Sequence, residues 1–420
     1  MISSCQTSCG TFERSLPADV AICASADAAR EHGIHLSVRQ IGDTVKTSLC
    51  DLTDGTGRKA SGLGKGIGDQ SVASAIFEAF EHYFSFGSEN ESVPTVEHLD
   101  LSGLDFELRD GSPDFRSICG NHAMPLVRLA FNSTDGARDS LRFPAFLINP
   151  DYDPISPLEA EFIRSFGLMR YSTNSGTAAG LSLDDAMLHG LLEVVERDAI
   201  GIELLRVVIR RDAHPVREVQ RHTLPPNIIA LFDIIEQETG GLLCVWDITT
   251  DLRVPVILAG LTVNGVTTRR YFGSGASLSP SYAIERAILE TVQSLHARSL
   301  RDLSHPKGGN EPLDDMPTYM RCFLDAGFFG YRGGAAAVRF ADIKSSIVDC
   351  DKMTSSDQFE HIADCLRERG LNSYWRIVAS GSIHVTQVVV PKLERFHLVT
   401  HGTPVAPSWR GKGVLTGAVT

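Results

Sequence analysis

Apolar positions recur along this chain with two periods, and their alternation lays out its elements. From Leu183 onward, Ala186, Leu188, Leu191, Leu192, Val194, Val195, Ala199 and Ile200 cover most of a helical circumference, which predicts a helix buried on several sides. A second helical pattern, Ala73, Ala75, Ile76, Phe77, Phe80 and Phe84, follows glycines at 62, 64, 66 and 68. A third follows Gly273 and Gly275 and carries Arg286, Glu290 and Gln293. Alternating or short apolar runs predict strands at 35–40, 45–52, 126–131, 143–148, 242–248, 254–263, 266–272, 374–379 and 383–390. Helices are expected at 24–31 and 356–368 and a surface loop at 302–317; the tail from His401 has no hydrophobic periodicity and is read as either disordered or folded over a site. Strand-rich layers interrupted by long helices place the chain in the α/β (α+β) class.

Charges break the apolar pattern in one repeated way. Glu193 and Glu196 stand three apart inside the most apolar helix, so both carboxylates leave one face. Glu78 and Glu81 repeat the spacing on the second helix, Glu290 and Gln293 on the third, and each pair follows a small-residue stretch, which suggests internal structural echoes. Buried carboxylates need a partner. If the three helices converge, five carboxylates and an amide meet, a set suited to Mg²⁺ carried with a nucleotide. The glycine stretches then read as loops of backbone N–H groups ahead of helix N-termini, where phosphate sits well, with Lys65, Arg197 and Arg286 as counter-charges. The plainer reading of any one pair is a solvated face or an ion pair such as Glu193 with Arg197. His189, one turn before Glu193, and His82, next to Glu81, read as satisfied or half-exposed side chains. Lys59 and Gly66 stand where a Walker A loop needs Gly and Ser or Thr, and neither H-E-x-x-H nor G-x-S-x-G occurs.

Composition narrows the classes. With 420 residues, 43% of them hydrophobic, the chain can bury a sizeable core in one to three domains. A net charge of -13 opposes general binding to nucleic acid or anionic membranes. Neither a membrane-spanning apolar run nor a signal peptide is legible, so the cytoplasm is the expected compartment. The nine cysteines contain no C-x-x-C pair, which argues against a zinc ribbon; Cys5 and Cys9 lie in an expected frayed terminus, and Cys50 and Cys244 act as small hydrophobes.

Four longer motifs extend this reading. They are G-K-G with S-A-x-x-E-x-x-E (Gly64 to Gly66, Ser74 to Glu81), N-S-G-T-A-A-G with L-H-G-L-L-E-x-x-E-R-D-A (Asn174 to Gly180, Leu188 to Ala199), R-A-x-x-E-x-x-Q (Arg286 to Gln293), and V-V-V-P at Val388 to Pro391. With them the chain resembles the YcaO family from about residue 60 to 400, enzymes that use ATP to activate backbone amides of peptides. His82 stands where the family usually has Arg, and N-S-G where it has S-N-G. The resemblance implies a YcaO-type fold with three motif helices converging on one nucleotide site, arranged as an N-terminal extension (1–60), a YcaO domain (61–400) and a tail (401–420). It implies ATP and Mg²⁺ as cofactors. Glu78, Glu81, Glu193, Glu196 and Glu290 would hold the metal with help from Gln293, and Lys65, Ser74, Asn174, Ser175, Arg197 and Arg286 would face the nucleotide.

The reaction the resemblance implies is cyclodehydration of Cys, Ser or Thr to azolines in the maturation of a ribosomally made, bacteriocin-like peptide. Azoline-forming members often end in a P-x-P-x-P tail, whereas this chain has Pro404 and Pro407 and ends G-A-V-T, so thioamide formation with a sulfide-delivering partner stands beside it. A non-catalytic ATP-binding helper is the alternative of another class. No recognition domain is legible before residue 60, so a separate protein is expected to deliver the precursor peptide, within a homodimer or hetero-complex. No residue is singled out as general base.

Overall fold

The structure, a computed structural model, describes residues 13–14, 16–85, 96–109, 111–136, 140–210, 216–263, 269–300, 336–347, 350 and 352–417. Helix α1 (Ala18–Glu31) precedes strands β1 (Ile34–Ile41), β2 (Val45–Asp54) and β3 (Lys59–Ile67) and helix α2 (Gln70–Ser85). Shorter elements follow: β4 (Val96–Leu99), α3 (Phe106–Arg109), α4 (Phe115–Cys119), β5 (Met124–Ser133), β6 (Leu141–Pro144), α5 (Pro157–Ser165) and β7 (Thr177–Gly180). Helix α6 (Leu183–Leu204) starts on Ser182, whose hydroxyl accepts the Asp185 N–H at 3.1 Å, and Asp184 and Asp185 complement the helix dipole in its first turn. Then come β8 (Arg217–Val219), α7 (Pro226–Thr239), β9 (Gly241–Asp247), β10 (Val256–Val263), β11 (Arg269–Ala276) and α8 (Pro280–Leu300). The chain closes with β12 (Ala336–Val338), α9 (Ser355–Arg367), β13 (Tyr374–Ser380), β14 (His384–Val389) and α10 (Trp409–Thr416).

Among the described residues the strands form three sheets, in the orders β1-β2-β3, β11-β10-β9-β8-β12 and β4-β5-β13-β14-β7, with β6 on β5. Each sheet carries one of the three acid-bearing helices: α2 lies on β2 and β3, α8 on β10 and β11, α6 on β7 and β14. Each of these helices also touches the next sheet, α2 reaching β7, α6 reaching β11, and α8 reaching β2 and β3. The contacts close into a ring, with a hydrophobic core inside each helix-on-sheet unit.

The glycines explain how tightly these layers meet, and they correct the sequence expectation. Gly62, Gly64 and Gly66 are not a phosphate-seating loop; they lie in β3. A Cβ at Gly62 would stand 2.2 Å from the Ala79 backbone nitrogen, and one at Gly64 2.0 Å from the Ser71 carbonyl oxygen. Gly273 and Gly275 in β11 press on α8 in the same way, at 2.3 Å from the Ala287 carbonyl and 2.4 Å from that of Ala283. On the third unit, Gly190 of α6 meets the Gly176 carbonyl at 2.6 Å. In N-S-G-T-A-A-G only the first part is a turn, with Gly176 at φ 88; the rest is β7. Here glycine removes a side chain between strand and helix, a use that composition alone does not separate from turn-making.

Other boundaries shift for local reasons. The expected 143–148 strand stops at Pro144, which has no N–H to offer a ladder, and Ala145–Leu147 continues as a 3-10 turn. The expected 302–317 loop, Cys5, Cys9 and the first residues of the expected 266–272 strand lie outside the described residues. The tail does form a helix, α10, despite its lack of periodicity, because specific polar contacts hold it against α6. Arg410 Nε donates to both Asp198 oxygens at 2.9 and 3.0 Å, the same guanidinium pairs with Asp251, and Glu394 accepts from the N–H groups of Ser408 and Gly411 at 2.9 Å each. No helix among the described residues is long and apolar enough to cross a membrane.

The close approaches set an expectation for stability. Gly62→Ala and Gly273→Ala should each lower it by about 1–3 kcal/mol through overpacking. Gly55→Ala, where nothing lies within 4 Å, should change it by less than about 0.5 kcal/mol. Thermal or urea unfolding of the three variants measures the contrast.

Candidate functional site

The ring of contacts brings the acid-bearing faces of α2, α6 and α8 together, and backbone and side chains of the neighbouring strands fix the acids. The Leu63 N–H of β3 lies beside the Glu78 carboxylate and favours its charged form. Glu81 Oε1 accepts the Ala179 N–H of β7 at 2.8 Å. Glu193 Oε2 accepts the Gly176 N–H at 3.1 Å, and Glu196 Oε1 accepts the Ser274 hydroxyl of β11 at 2.7 Å. On α8, Glu290 pairs with Lys65 of β3, and Gln293 Nε2 donates to the Leu63 carbonyl at 2.7 Å. Arg197 lies between its own helix's acids, 3.6 Å from Glu193 and 3.4 Å from Glu196.

Positive charge is unevenly matched to this negative charge. Burial pushes the carboxyl groups of Glu78 and Glu193 above the ordinary range and that of Glu81 up to about 8, with Glu78 and Glu193 adding to the rise at Glu81. Glu290 differs: burial would raise it, but Lys65, Arg197 and Arg286 hold it below the ordinary value. Three of the five acids therefore lack a sufficient counter-charge, which a divalent cation would supply. Among the described residues no three His, Cys, Asp or Glu side chains meet at one ion-sized point. The donor set fits Mg²⁺ nevertheless, because that ion takes one or two carboxylates and completes its shell with phosphate oxygens and water.

Two separate cavities adjoin the cluster. The larger, of about 400 Å³, is lined by Lys65, Gln70, Ser74, Tyr282, Arg286 and Leu289 among others, a mixture of cations, hydroxyls, the acids Asp19, Asp69 and Glu285, and apolar surface on the scale of ligand pockets. The smaller, of about 30 Å³, is lined by Thr173, Ser175, Arg197, Glu394, Arg395 and His397 with valine walls. The residues expected to face a nucleotide thus divide: Lys65, Ser74 and Arg286 border the first cavity, Ser175 and Arg197 the second. Gln293 holds β3 to α8, and Asn174, which lines neither cavity, gives its carbonyl to the Thr177 N–H at 2.9 Å.

Residues outside the expected set also reach the site. Glu13 is 6% exposed and lies 3.9 Å from Arg286, with Glu13 Oε1 and Arg286 Nε both buried and without a hydrogen bond. Arg14 sits over the Phe77 ring at 5.4 Å and borders the larger cavity. Burial, then Arg286, Arg14 and Lys65, hold His189 well below the ordinary histidine range, so it is neutral. The spacing of His189 from Glu193 was a usable signal; nothing in the pattern around Glu13 distinguishes it. His82 is accounted for locally, its Nδ1 lying 2.6 Å from the Ser61 carbonyl.

The raised carboxyls give a pH dependence. Glu81 rises from 4.5 to about 8, so between those values the folded chain holds a proton that the unfolded chain has released. The associated stability is complete below 4.5 and is lost as pH climbs through 8. Without divalent cation, the melting temperature should fall from pH 5 to pH 8, and Glu81→Gln should flatten the decline; thermal unfolding across a pH series measures both.

A family profile described as YcaO cyclodehydratase, ATP- and Mg²⁺-binding, matches residues 63–394. An uncharacterized protein of Methanothermobacter thermautotrophicus is 30% identical over 231 residues, 54% of this chain and 54% of that protein, so the match spans about half the length of each. Among solved structures, the YcaO protein of Methanopyrus kandleri bound with AMPPCP and Mg²⁺ aligns with a TM-score of 0.64 at 19% identity, covering 94% of this chain and 95% of that one. A heterocyclase in complex with substrate and cofactor aligns with a TM-score of 0.64 at 18% identity, over 91% of this chain but 53% of that chain. At such identities the structural likeness establishes the fold alone. The profile runs from Leu63 in β3 to Glu394 beside α10 and takes in all three acid-bearing helices, and on that match the chain belongs to the YcaO family, whose members bind ATP and Mg²⁺.

Proposed function

We propose that this chain activates a peptide backbone amide with ATP and Mg²⁺, cyclising a Cys, Ser or Thr residue onto it to give an azoline in the maturation of a ribosomally made peptide. The observation that carries this reading is the position of the acids. Five carboxylates from three helices, three of them short of counter-charge, lie beside Lys65, which pairs with Glu290 and with Ser74 and Arg286 borders a cavity of about 400 Å³. Mg²⁺-ATP supplies a phosphoryl group that turns the amide oxygen, once a nucleophile has added to the carbonyl carbon, into a phosphate leaving group.

The residues of the chain position and neutralise. Glu78, Glu81, Glu193, Glu196 and Glu290 are the carboxylates that would hold Mg²⁺, one or two to an ion, and Lys65 and Arg286 would offset the charge of the phosphates in the larger cavity. Arg197, fixed between Glu193 and Glu196, presents its cation to the oxygen that gains charge. A precursor peptide and a separate recognition protein are the partners this reading requires. Peptide thioamide formation is the second reading, favoured by the small cavity beyond Arg197, which has room for a free nucleophile. Acid pairs on α2 and α6 and the Glu290–Gln293 pair on α8 weigh against a non-catalytic helper.

Glu193→Gln combined with Glu196→Gln should cut ATP consumption by at least about 100-fold and leave the circular dichroism spectrum unchanged. Unchanged turnover would overturn the metal assignment. Mass spectrometry of a precursor treated with the chain, its partners and ATP separates the products: a loss of roughly 18 Da per site means azoline, a gain of roughly 16 Da oxygen-to-sulfur exchange.

A further inference from the structure

The small cavity and the large one have no lining residue in common, yet each is lined by a cation that pairs with the acids, Lys65 with Glu290 in the large one and Arg197 with Glu193 and Glu196 in the small one. Arg197, in ion pairs with Glu193 and Glu196, forms one wall of the small cavity, and Ser175 adjoins the Gly176 N–H that holds Glu193. A ligand there sits one side chain from the acids, apart from the cavity bordered by Lys65 and Arg286. Its volume, about 30 Å³, leaves room for a water-sized group, so a small sulfur or oxygen nucleophile can enter it.

The wall chemistry defines that atom. Arg395 is immobile, its Nη1 donating to the carbonyls of Leu147 at 2.8 Å and Tyr171 at 2.7 Å, so its charge is fixed beside the space. Thr173 and Ser175 share one hydroxyl–hydroxyl bond of 2.8 Å, which uses one of their two protons and leaves the other to donate. His397 is 4% exposed; the Glu394 carbonyl lies near its ring, but no hydrogen bond of ordinary geometry reaches Nδ1. Burial, then Arg197, His401 and Arg395, hold this histidine well below its ordinary range, so the ring is neutral and has an acceptor nitrogen. Val194, Val388 and Leu393 supply apolar surface. Glu394 also lines the space, its carboxylate oxygens already accepting from the N–H groups of Arg395, Phe396, Ser408 and Gly411. The cations, one spare O–H, one acceptor nitrogen and apolar walls that remain suit a small, polarisable atom that is anionic or carries one proton.

We propose that this cavity seats the nucleophilic sulfur or oxygen that adds to the amide carbon, with Arg197 and Arg395 stabilising its negative charge and His397 accepting a hydrogen bond from its proton. The inference rests on the amide-activating reading above. The atom has two possible sources with the same chemistry, free hydrosulfide or the side chain of a Cys, Ser or Thr in the peptide.

The test uses crystals of the full chain with Mg²⁺ and AMPPCP, soaked in sodium hydrosulfide or in methanethiol as a side-chain mimic, with sulfur located by long-wavelength anomalous scattering. A sulfur peak between Arg197 and His397 is expected. It should vanish in Val194→Ile, which fills the space with one added methyl, and hydrosulfide affinity should fall about tenfold in His397→Gln. Mg²⁺-AMPPCP affinity, measured by calorimetry, should stay within about twofold in both variants. Entry of hydrosulfide with exclusion of methanethiol supports the cavity with a free co-substrate, and entry of both supports it with the side chain as source. An empty cavity in crystals that hold the nucleotide overturns the proposal alone, whereas a wild-type chain that fails to bind Mg²⁺-AMPPCP overturns the amide-activating reading beneath it.

Discussion

The site depends on how closely a glycine strand can approach a helix. Where β3 crosses α2 and β11 crosses α8, any Cβ would fall within 2.4 Å of helix backbone, so only glycine allows the layers to meet. The same closeness brings strand backbone within reach of helix carboxylates. Leu63 N–H lies beside Glu78, Ala179 N–H reaches Glu81, and Gly176 N–H reaches Glu193. Carboxylates held this way are oriented before any ligand arrives, which is what positioning a phosphoryl group requires. A wider spacing would leave the acids on flexible side chains with unmet desolvation costs.

The second layer of order is cyclic. The acid or amide of each helix bonds to a strand of the sheet belonging to the next: Glu81 to β7, Glu196 to β11, and Glu290 and Gln293 to β3. Packing contacts run in the same direction, from α2 to β7, from α6 to β11, and from α8 to β2 and β3. Three units with separate cores are therefore joined at the place where their charges concentrate. Joining them there carries an electrostatic cost, visible as raised carboxyls on α2 and α6 and as the depressed Glu290 beside Lys65. A cation with its anion offsets that cost more fully than Lys65, Arg197 and Arg286 do, since it adds charge at the acids and carries its own phosphate ligands.

Much of this was legible in the residues, and what was not has physical causes. The acid spacing on three apolar helices pointed to a shared face because helical period converts i, i+3 into proximity. The glycines were legible as special positions but not as strand positions, since glycine serves turns and close approaches alike. Α tail without periodicity still forms α10, because Asp198 and Glu394 hold it through buried polar contacts that leave no apolar stripe. Glu13 and Arg14 were invisible: their role comes from where the chain's first described residues lie in space. The division of the expected nucleotide residues between two cavities was equally out of reach, because Ser175 and Arg197 share a motif with Glu193 and a wall with Arg395 and His397, which come from the far end of the chain.

That division makes Arg197 the hinge of the chemistry. Among the described residues it is the one cation that pairs with two of the acids and also lines the small cavity. Burial works to lower its pKa, and Glu196, Glu193 and Glu290 more than restore it, so it remains charged in a place where a lone guanidinium would be costly. In the proposed function the acids would thus do two jobs with one arrangement: they would hold a cation on one side, and they sustain an arginine on the other. Placing a fixed positive charge between phosphate and nucleophile, in surroundings with little water, strengthens its hold on an oxygen as that oxygen gains charge. The proposed reaction makes an amide oxygen anionic before it is phosphorylated and so calls for a charge at that point, which the E-x-x-E-R spacing of α6 would supply through Arg197.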